Sequence, residues 1–120
     1  MIPQNFSLYA KNKNGDCTGE CFWARLDPTI GSELQKTRPV VVLSINPLNK
    51  ARKTVVVVPL STSAPAVEFL NVAMKGGSVA RCEHFRSIDK ARLADKIGSI
   101  SEADMEKIEE GISRILGMNH

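Results

Sequence analysis

Arg81-Cys82-Glu83-His84 brings more reactive chemistry together than any other four residues of the chain: guanidinium, thiol, carboxylate and imidazole. On a β-strand alternate side chains share a face, so Arg81 and Glu83 are expected on one side and Cys82 and His84 on the other. A carboxylate beside a guanidinium can take up a proton while the cation holds an anion through paired hydrogen bonds. Arginine donates protons poorly, because its pKa lies above about 12, so the role expected of Arg81 is electrostatic. The chain has only two histidines, His84 and the final residue His120, which makes a His–His acid–base pair within one chain an unexpected solution. The same Arg–Glu pair also fits a plain surface ion pair, worth about 0–1 kcal/mol.

A second concentration runs from Leu26 to Pro39, a long polar stretch that leads into the apolar run Val40-Val41-Val42-Leu43. A loop held by a sheet is where binding groups sit without crowding, which makes Ser32, Glu33, Lys36 and Arg38 candidates. Arg38 could instead pair with Glu33 or Asp27 to fix the loop. Ser61 and Thr62 follow another apolar run, and either hydroxyl can donate to an anion; capping a turn is the alternative for Ser61. Arg86 lies just beyond the Arg81–His84 segment, next to Phe85, which serves either as core or as a stacking platform. Cys17, Cys21 and Cys82 with His84 have the ligand count of a structural zinc site, but Cys17-x-x-x-Cys21 is looser than the usual knuckle. No metal or other cofactor is expected, and the three cysteines read as thiols.

These residues need elements to hold them. Cys21 to Leu26 alternates as a first strand, with Phe22 and Ala24 on one side and Trp23 and Arg25 on the other. Pro39 has no N–H for a ladder, so Arg38-Pro39 should open the second strand, which continues to Ile45. Asn46 to Asn49 reads as a turn or one helical turn. Thr54 to Leu60 is β-branched and reads as the central, most buried strand, ended by Pro59. Ala66 to Met74 reads as a weaker strand, Gly76-Gly77 as a tight turn, and Val79 to Phe85 as the next strand. From Ser101 the period changes. Ser101-x-x-Asp104 has the form of a capping box, Met105, Ile108, Ile112, Ile115 and Leu116 make one helical stripe, and Gly117 stops the helix. The fold class expected is mainly β with a C-terminal α-helix: a small antiparallel barrel or strongly curved sheet with the helix packed on it.

The chain has 120 residues, 42% hydrophobic and 24% charged, which suits one folded domain. Its net charge of +3 hides an asymmetry. Residues 1–100 carry 14 Lys and Arg against 8 Asp and Glu, and residues 101–120 carry 2 against 5. The body therefore favours a polyanion, and the acidic surplus belongs to the terminal helix. A solvated surface with a modest positive excess is the plainer reading of the same charge. With no basic-plus-apolar leader and no run of bilayer length, neither secretion nor membrane insertion is expected, and the cytoplasm is the default location.

Three ordered blocks carry a family resemblance. Leu26-Asp27-Pro28-Thr29 with Gly31-Ser32-Glu33 leads to Arg38-Pro39-Val40-Val41-Val42-Leu43-Ser44. Thr54 to Pro59 is followed by Ser61-Thr62, and Val79-Ala80-Arg81-Cys82-Glu83 by Arg86-Ser87-Ile88-Asp89-Lys90-Ala91-Arg92. Together, from roughly Gly19 to Leu116, they resemble the MazF/PemK/Kid family, the ribonuclease toxins of bacterial toxin–antitoxin pairs. The resemblance implies an SH3-like barrel that forms a homodimer and lays single-stranded RNA across the groove between subunits. It also implies a metal-independent, sequence-specific endoribonuclease of mRNA that works by 2′-OH attack, inhibited by a cognate antitoxin whose acidic segment fills the groove. By that pattern Arg81 and Glu83 are catalytic, with Glu83 where the Kid branch has aspartate. Arg38 and Ser61 match the arginine–threonine pair of the MazF branch. Ser32, where the Kid branch has histidine, joins Glu33, Lys36, Thr62 and Arg86 as RNA contacts. Residues 1–18 form an irregular N-terminal extension to a toxin domain spanning 19–120. The alternative is a toxin like the related CcdB family, which binds gyrase and cleaves no nucleic acid.

Overall fold

The computed structural model describes residues 17–26, 37–62, 71–74 and 76–118. Ser32, Glu33, Lys36, nearly all of the N-terminal extension and most of the stretch between Ser61 and Asn71 lie outside the described residues.

Seven antiparallel strands form one sheet. They are β1 (Glu20–Arg25), β2 (Thr37–Val42), β3 (Thr54–Ser61), β4 (Asn71–Ala73), β5 (Val79–Arg81), β6 (Arg86–Asp89) and β7 (Leu93–Ser99). Their order is β4-β5-β3-β2-β1-β7, with β6 also paired to β3. A short helix α1 (Asn46–Ala51) joins β2 to β3, and α2 (Glu102–Ile115) closes the chain. This is the expected class, mainly antiparallel β with a C-terminal helix, in a barrel-like sheet that stays open.

Period-two alternation buries both faces of the central strands. Phe22, Ala24, Val40, Val42, Val55 and Val57 fill one core with Ile88 and Leu93. Cys21, Val41, Val58 and Leu60 face the other way, into a second core with Val72, Ala80, Cys82 and Ile108. The first is enclosed by the sheet itself; the second is covered by α2 and the β4–β5 pair. Trp23, predicted on the side opposite Phe22 and Ala24, is 42% exposed.

β2 ends at Val42 rather than Ile45 because Ser44 leaves the ladder for a buried polar cluster. Its Oγ accepts from Val56 N at 3.0 Å and contacts Asn49 Oδ1. Asn49 Nδ2 donates to Ser44 O at 2.9 Å and to Cys17 Sγ at 3.2 Å, tying the start of the described chain to α1.

β3 is the central strand, as its composition indicates, but Pro59 does not end it. Val56 uses both of its backbone groups on the β2 side: its N–H goes to Ser44 Oγ, and its C=O accepts from Leu43 N at 2.8 Å. By alternation residues 57, 59 and 61 direct theirs to the opposite edge. That edge is shared. β6 pairs there from Thr54 to Val57, and β5 pairs with Leu60 and Ser61. The missing N–H of Pro59 faces the interval between the two partners, where no ladder bond is called for.

The facing chain shows the same interruption. Three steps along β3, from Val57 to Leu60, are matched by six from Arg86 back to Ala80. The surplus is taken up by a 3₁₀ turn, Cys82–His84. The continuous strand expected from Val79 to Phe85 is therefore two strands with a turn between them, and the strict alternation expected for Arg81 to His84 does not hold. β6 is too short and β7 too polar to announce itself; β7 exists because it lies against β1.

α2 begins as its sequence indicates, with Ser101 Oγ accepting from Asp104 N at 3.1 Å, and it is followed by Gly117 at φ +72°. Ile108 is fully buried and Met105, Ile112 and Ile115 pack at the edge of the core, but Leu116 is 55% exposed, one position beyond the helix's last packed turn. Gly111 is more than a tolerated weak helix former. A Cβ there would lie 3.1 Å from Cys82 Sγ and 3.3 Å from Val72 Cγ2, so glycine lets the helix settle onto the 3₁₀ turn.

Two outcomes follow from this packing. Gly111→Ala gains about 1 kcal/mol of helix propensity but meets an overpacking cost of about 1–3 kcal/mol. The variant is expected to melt several degrees lower than the parent, and an unchanged or raised Tm would contradict the close approach. The second concerns alkali. Burial first, then the Glu20 carboxylate, pushes the Cys21 thiol from 9.0 up to about 11, against a smaller pull from Lys96. Burial and then Glu83 push Cys82 equally to about 11, against Arg114. Between these values the folded protein holds more protons than the unfolded chain, so stability falls as pH rises from 9 towards 11. Urea midpoints measured across that window should decline, and less steeply in Cys82→Ala.

Candidate active site

A cleft of about 380 Å³ opens where β3 changes partner. Its polar lining comes from Arg38, Ser61, Arg81, His84 and Arg86, and its apolar lining from Leu26, Pro59 and Leu60. Each polar group is at or next to an element end: Arg38 second in β2, Ser61 last in β3, Arg81 last in β5, His84 last in the turn and Arg86 first in β6. The β2–β3 register, Val40 with Pro59, carries Arg38 towards Ser61.

Three guanidiniums around one opening repel one another, and among the described residues the carboxylate beside them is that of Glu83, an arrangement that favours a bound anion. Arg81 is the most enclosed of them, its side chain 31% exposed. Its Nε is buried without a hydrogen-bond partner among the described residues. A buried donor left unpaired costs about 1–3 kcal/mol. Arg38 and Arg86 are exposed and can meet a flexible chain from solvent.

Glu83 supplies the negative charge. Its Oε1 accepts from Asn71 Nδ2 at 2.9 Å, and its Oε2 lies 3.5 Å from Arg81 NH2 and 3.7 Å from His84 Nε2. The carboxylate, with its side chain 24% exposed, stands between two groups that line the cleft and is not itself among the lining residues. Arg81 and Glu83 are thus neighbours as expected, though a turn and not a strand face brings them together. That turn also corrects the placing of His84: it is expected opposite Glu83, and it shares Glu83's carboxylate with Arg81.

His84 and Asn71 are what sequence reasoning missed. His84 had the right chemistry, but strand alternation set it opposite Glu83 and the terminal position of His120 argued against a His–His pair. Asn71 carries no sequence signal, because only the β4–β5 register, Asn71 with Arg81, brings it alongside. Thr62 is exposed next to Ser61 but does not line the cleft. Phe85 packs, partly buried, against the second core, which favours its structural reading. Among the described residues no three of His, Cys, Asp and Glu gather as a metal-binding group. Cys17 belongs to one core while Cys21 and Cys82 belong to the other. No helix among the described residues is long and apolar enough to cross a membrane.

Comparison with known proteins bears on the family and the fold. A family model described as PemK-like, MazF-like toxin of type II toxin–antitoxin systems matches residues 18–116. Endoribonuclease PemK of Escherichia coli is 34% identical over 106 residues, covering 82% of this chain and 80% of that protein. Endoribonuclease MazF of Staphylococcus epidermidis is 30% identical over 110 residues, covering 85% and 92%. Among solved structures, a MazE–MazF complex from Deinococcus radiodurans superposes with a TM-score of 0.75 at 23% identity, over 85% of this chain and 96% of that one. A mycobacterial endoribonuclease in complex with its cognate antitoxin gives 0.73 at 23% identity, over 86% and 96%. Fold and sequence relatives lead to the same assignment: the chain belongs to the PemK-like, MazF-like family of type II toxin–antitoxin toxins.

Proposed function

We propose that this protein is the toxin of a toxin–antitoxin pair and an endoribonuclease, cutting single-stranded mRNA at specific sequences by attack of a 2′-OH on the adjacent phosphate. The observation that carries this reading is the convergence of Arg38, Ser61, Arg81 and Arg86 from four different strands on one cleft. Four groups that suit a phosphodiester, drawn from three separated stretches of the chain, share one opening, with the Glu83 carboxylate beside it. Family membership favours the nuclease over the gyrase-binding alternative.

In this mechanism Arg81 grips the scissile phosphate through its guanidinium. Arg38 and the Ser61 hydroxyl stabilise charge as it builds on the phosphoryl oxygens. Glu83 takes the 2′-OH proton through Oε2, the oxygen not engaged by Asn71. The O2′–P bond forms and the P–O5′ bond breaks, giving a 2′,3′-cyclic phosphate and a departing 5′-oxygen that must take up a proton to become the 5′-hydroxyl end. Each of these steps uses side chains alone, so the route needs no metal. Arg86 and the exposed Thr62, with Ser32, Glu33 and Lys36 outside the described residues, form the RNA-reading surface. The toxin domain is residues 19–120, with 1–18 as an extension, acting in the cytoplasm as a homodimer.

Purified protein in EDTA should cut a long single-stranded transcript at discrete sites. Arg81→Ala is expected to slow cleavage about 100- to 1,000-fold, and Glu83→Gln about 100-fold or more, with melting curves close to the parent's. A folded parent that leaves varied transcripts intact would refute the nuclease reading. The antitoxin is expected to offer an acidic segment to the cleft's cations. Purification from the natural operon should therefore recover a dimer of this chain with a small acidic partner, released by high salt and denaturant; recovery of the lone chain would count against it.

A further inference from the structure

The mechanism above lacks a proton donor for the departing 5′-oxygen: arginine holds its proton too tightly, and Ser32 stands where a related branch has histidine. From the geometry of the Cys82–His84 turn we infer that His84 is the general acid, handing a proton to O5′ as the P–O5′ bond breaks. This deepens the nuclease reading and rests on it.

Three observations converge on His84. It lines the cleft together with Arg38, Ser61, Arg81 and Arg86. Its side chain is 59% exposed, so the ring can reach an incoming phosphodiester, whereas Cys82, two positions earlier, is fully buried. Its Nε2 lies 3.7 Å from Glu83 Oε2, which sets the ring beside the carboxylate that takes the 2′-OH proton.

The three-residue surplus opposite Pro59 makes this possible. On an unbroken strand His84 would follow Cys82 into the core; the turn swings it to the mouth of the cleft while Cys82 stays beneath Gly111. The charged groups around the ring are Glu83 on its own turn and, from the elements surrounding the cleft, Arg38, Arg81 and Arg86. The protons then balance: Glu83 accepts one from O2′, His84 gives one to O5′, and both groups are reset through water.

The test uses a cleavage site mapped on a long transcript and two short RNAs containing it, one natural and one with sulfur replacing the bridging 5′-oxygen. A thiolate leaves without protonation, so the sulfur substrate does not need an acid. His84→Gln should slow the natural RNA about 100- to 1,000-fold and leave cleavage of the sulfur RNA within about threefold of the parent, with RNA binding unchanged. Added imidazole should restore part of the natural-RNA rate to His84→Ala. Equal losses on both substrates would make His84 a structural or binding residue and overturn the assignment, as would no loss on either. A folded parent that cuts neither RNA overturns the nuclease reading first and this assignment with it, a result distinct from a failure of His84 alone.

Discussion

A proline nitrogen has no proton to give, and in this protein that deficiency sits where the sheet needs an interruption. β3 hydrogen-bonds to β2 along one edge, while the other edge is divided between β6 and β5. Pro59 faces the division. A regular strand opposite it would present backbone groups with nothing to pair with, and buried unpaired groups are costly. The chain instead gathers three surplus residues into the turn Cys82–His84 and resumes pairing at Arg86. The cleft follows from that break, and its polar residues are the ends of the strands that stop or start around it.

The turn is braced from both sides. Beneath it Cys82 is fully buried against α2, where Gly111 leaves no side chain to hold the helix away. At its side Asn71 fixes one oxygen of Glu83, so the carboxylate serves Arg81 and His84 from a set position. A helix glycine and a strand-edge asparagine, neither of which touches a substrate, thereby govern the placing of the charged groups. Charge is sorted on a larger scale too. Glu102, Glu106, Glu109 and Glu110 of α2 are exposed to solvent, and cations line the cleft, which leaves the opening positive in a protein of modest net charge.

Local pattern was enough for the elements whose burial follows a simple period. Phe22 and Ala24 alternate with Trp23 and Arg25, so β1 and its inward face could be read directly; the cap at Ser101 and the stripe from Met105 to Ile115 did the same for α2. Arg81, Glu83, Arg38 and Ser61 stood out because their chemistry suits a phosphodiester and their blocks match a family. β6 and β7 could not be read this way. Asp95, Lys96 and Ser99 show no strand pattern alone, and β7 forms through its partner β1, to which Glu20 and Lys96 add an ion pair at 3.0 Å.

The amino-acid sequence alone determined the inward face of β1, the apolar runs of β2 and β3, the position of the terminal helix and the list of groups able to handle phosphate, because each depends on residue type and short-range spacing. Tertiary structure alone decided that His84 joins Glu83 and Arg81, that Asn71 anchors the carboxylate and that Gly111 is a packing surface. Those outcomes rest on the register of strands distant in the chain, where a three-residue slip across Pro59 redirects the side chains that follow, and no periodicity within a single segment encodes the slip.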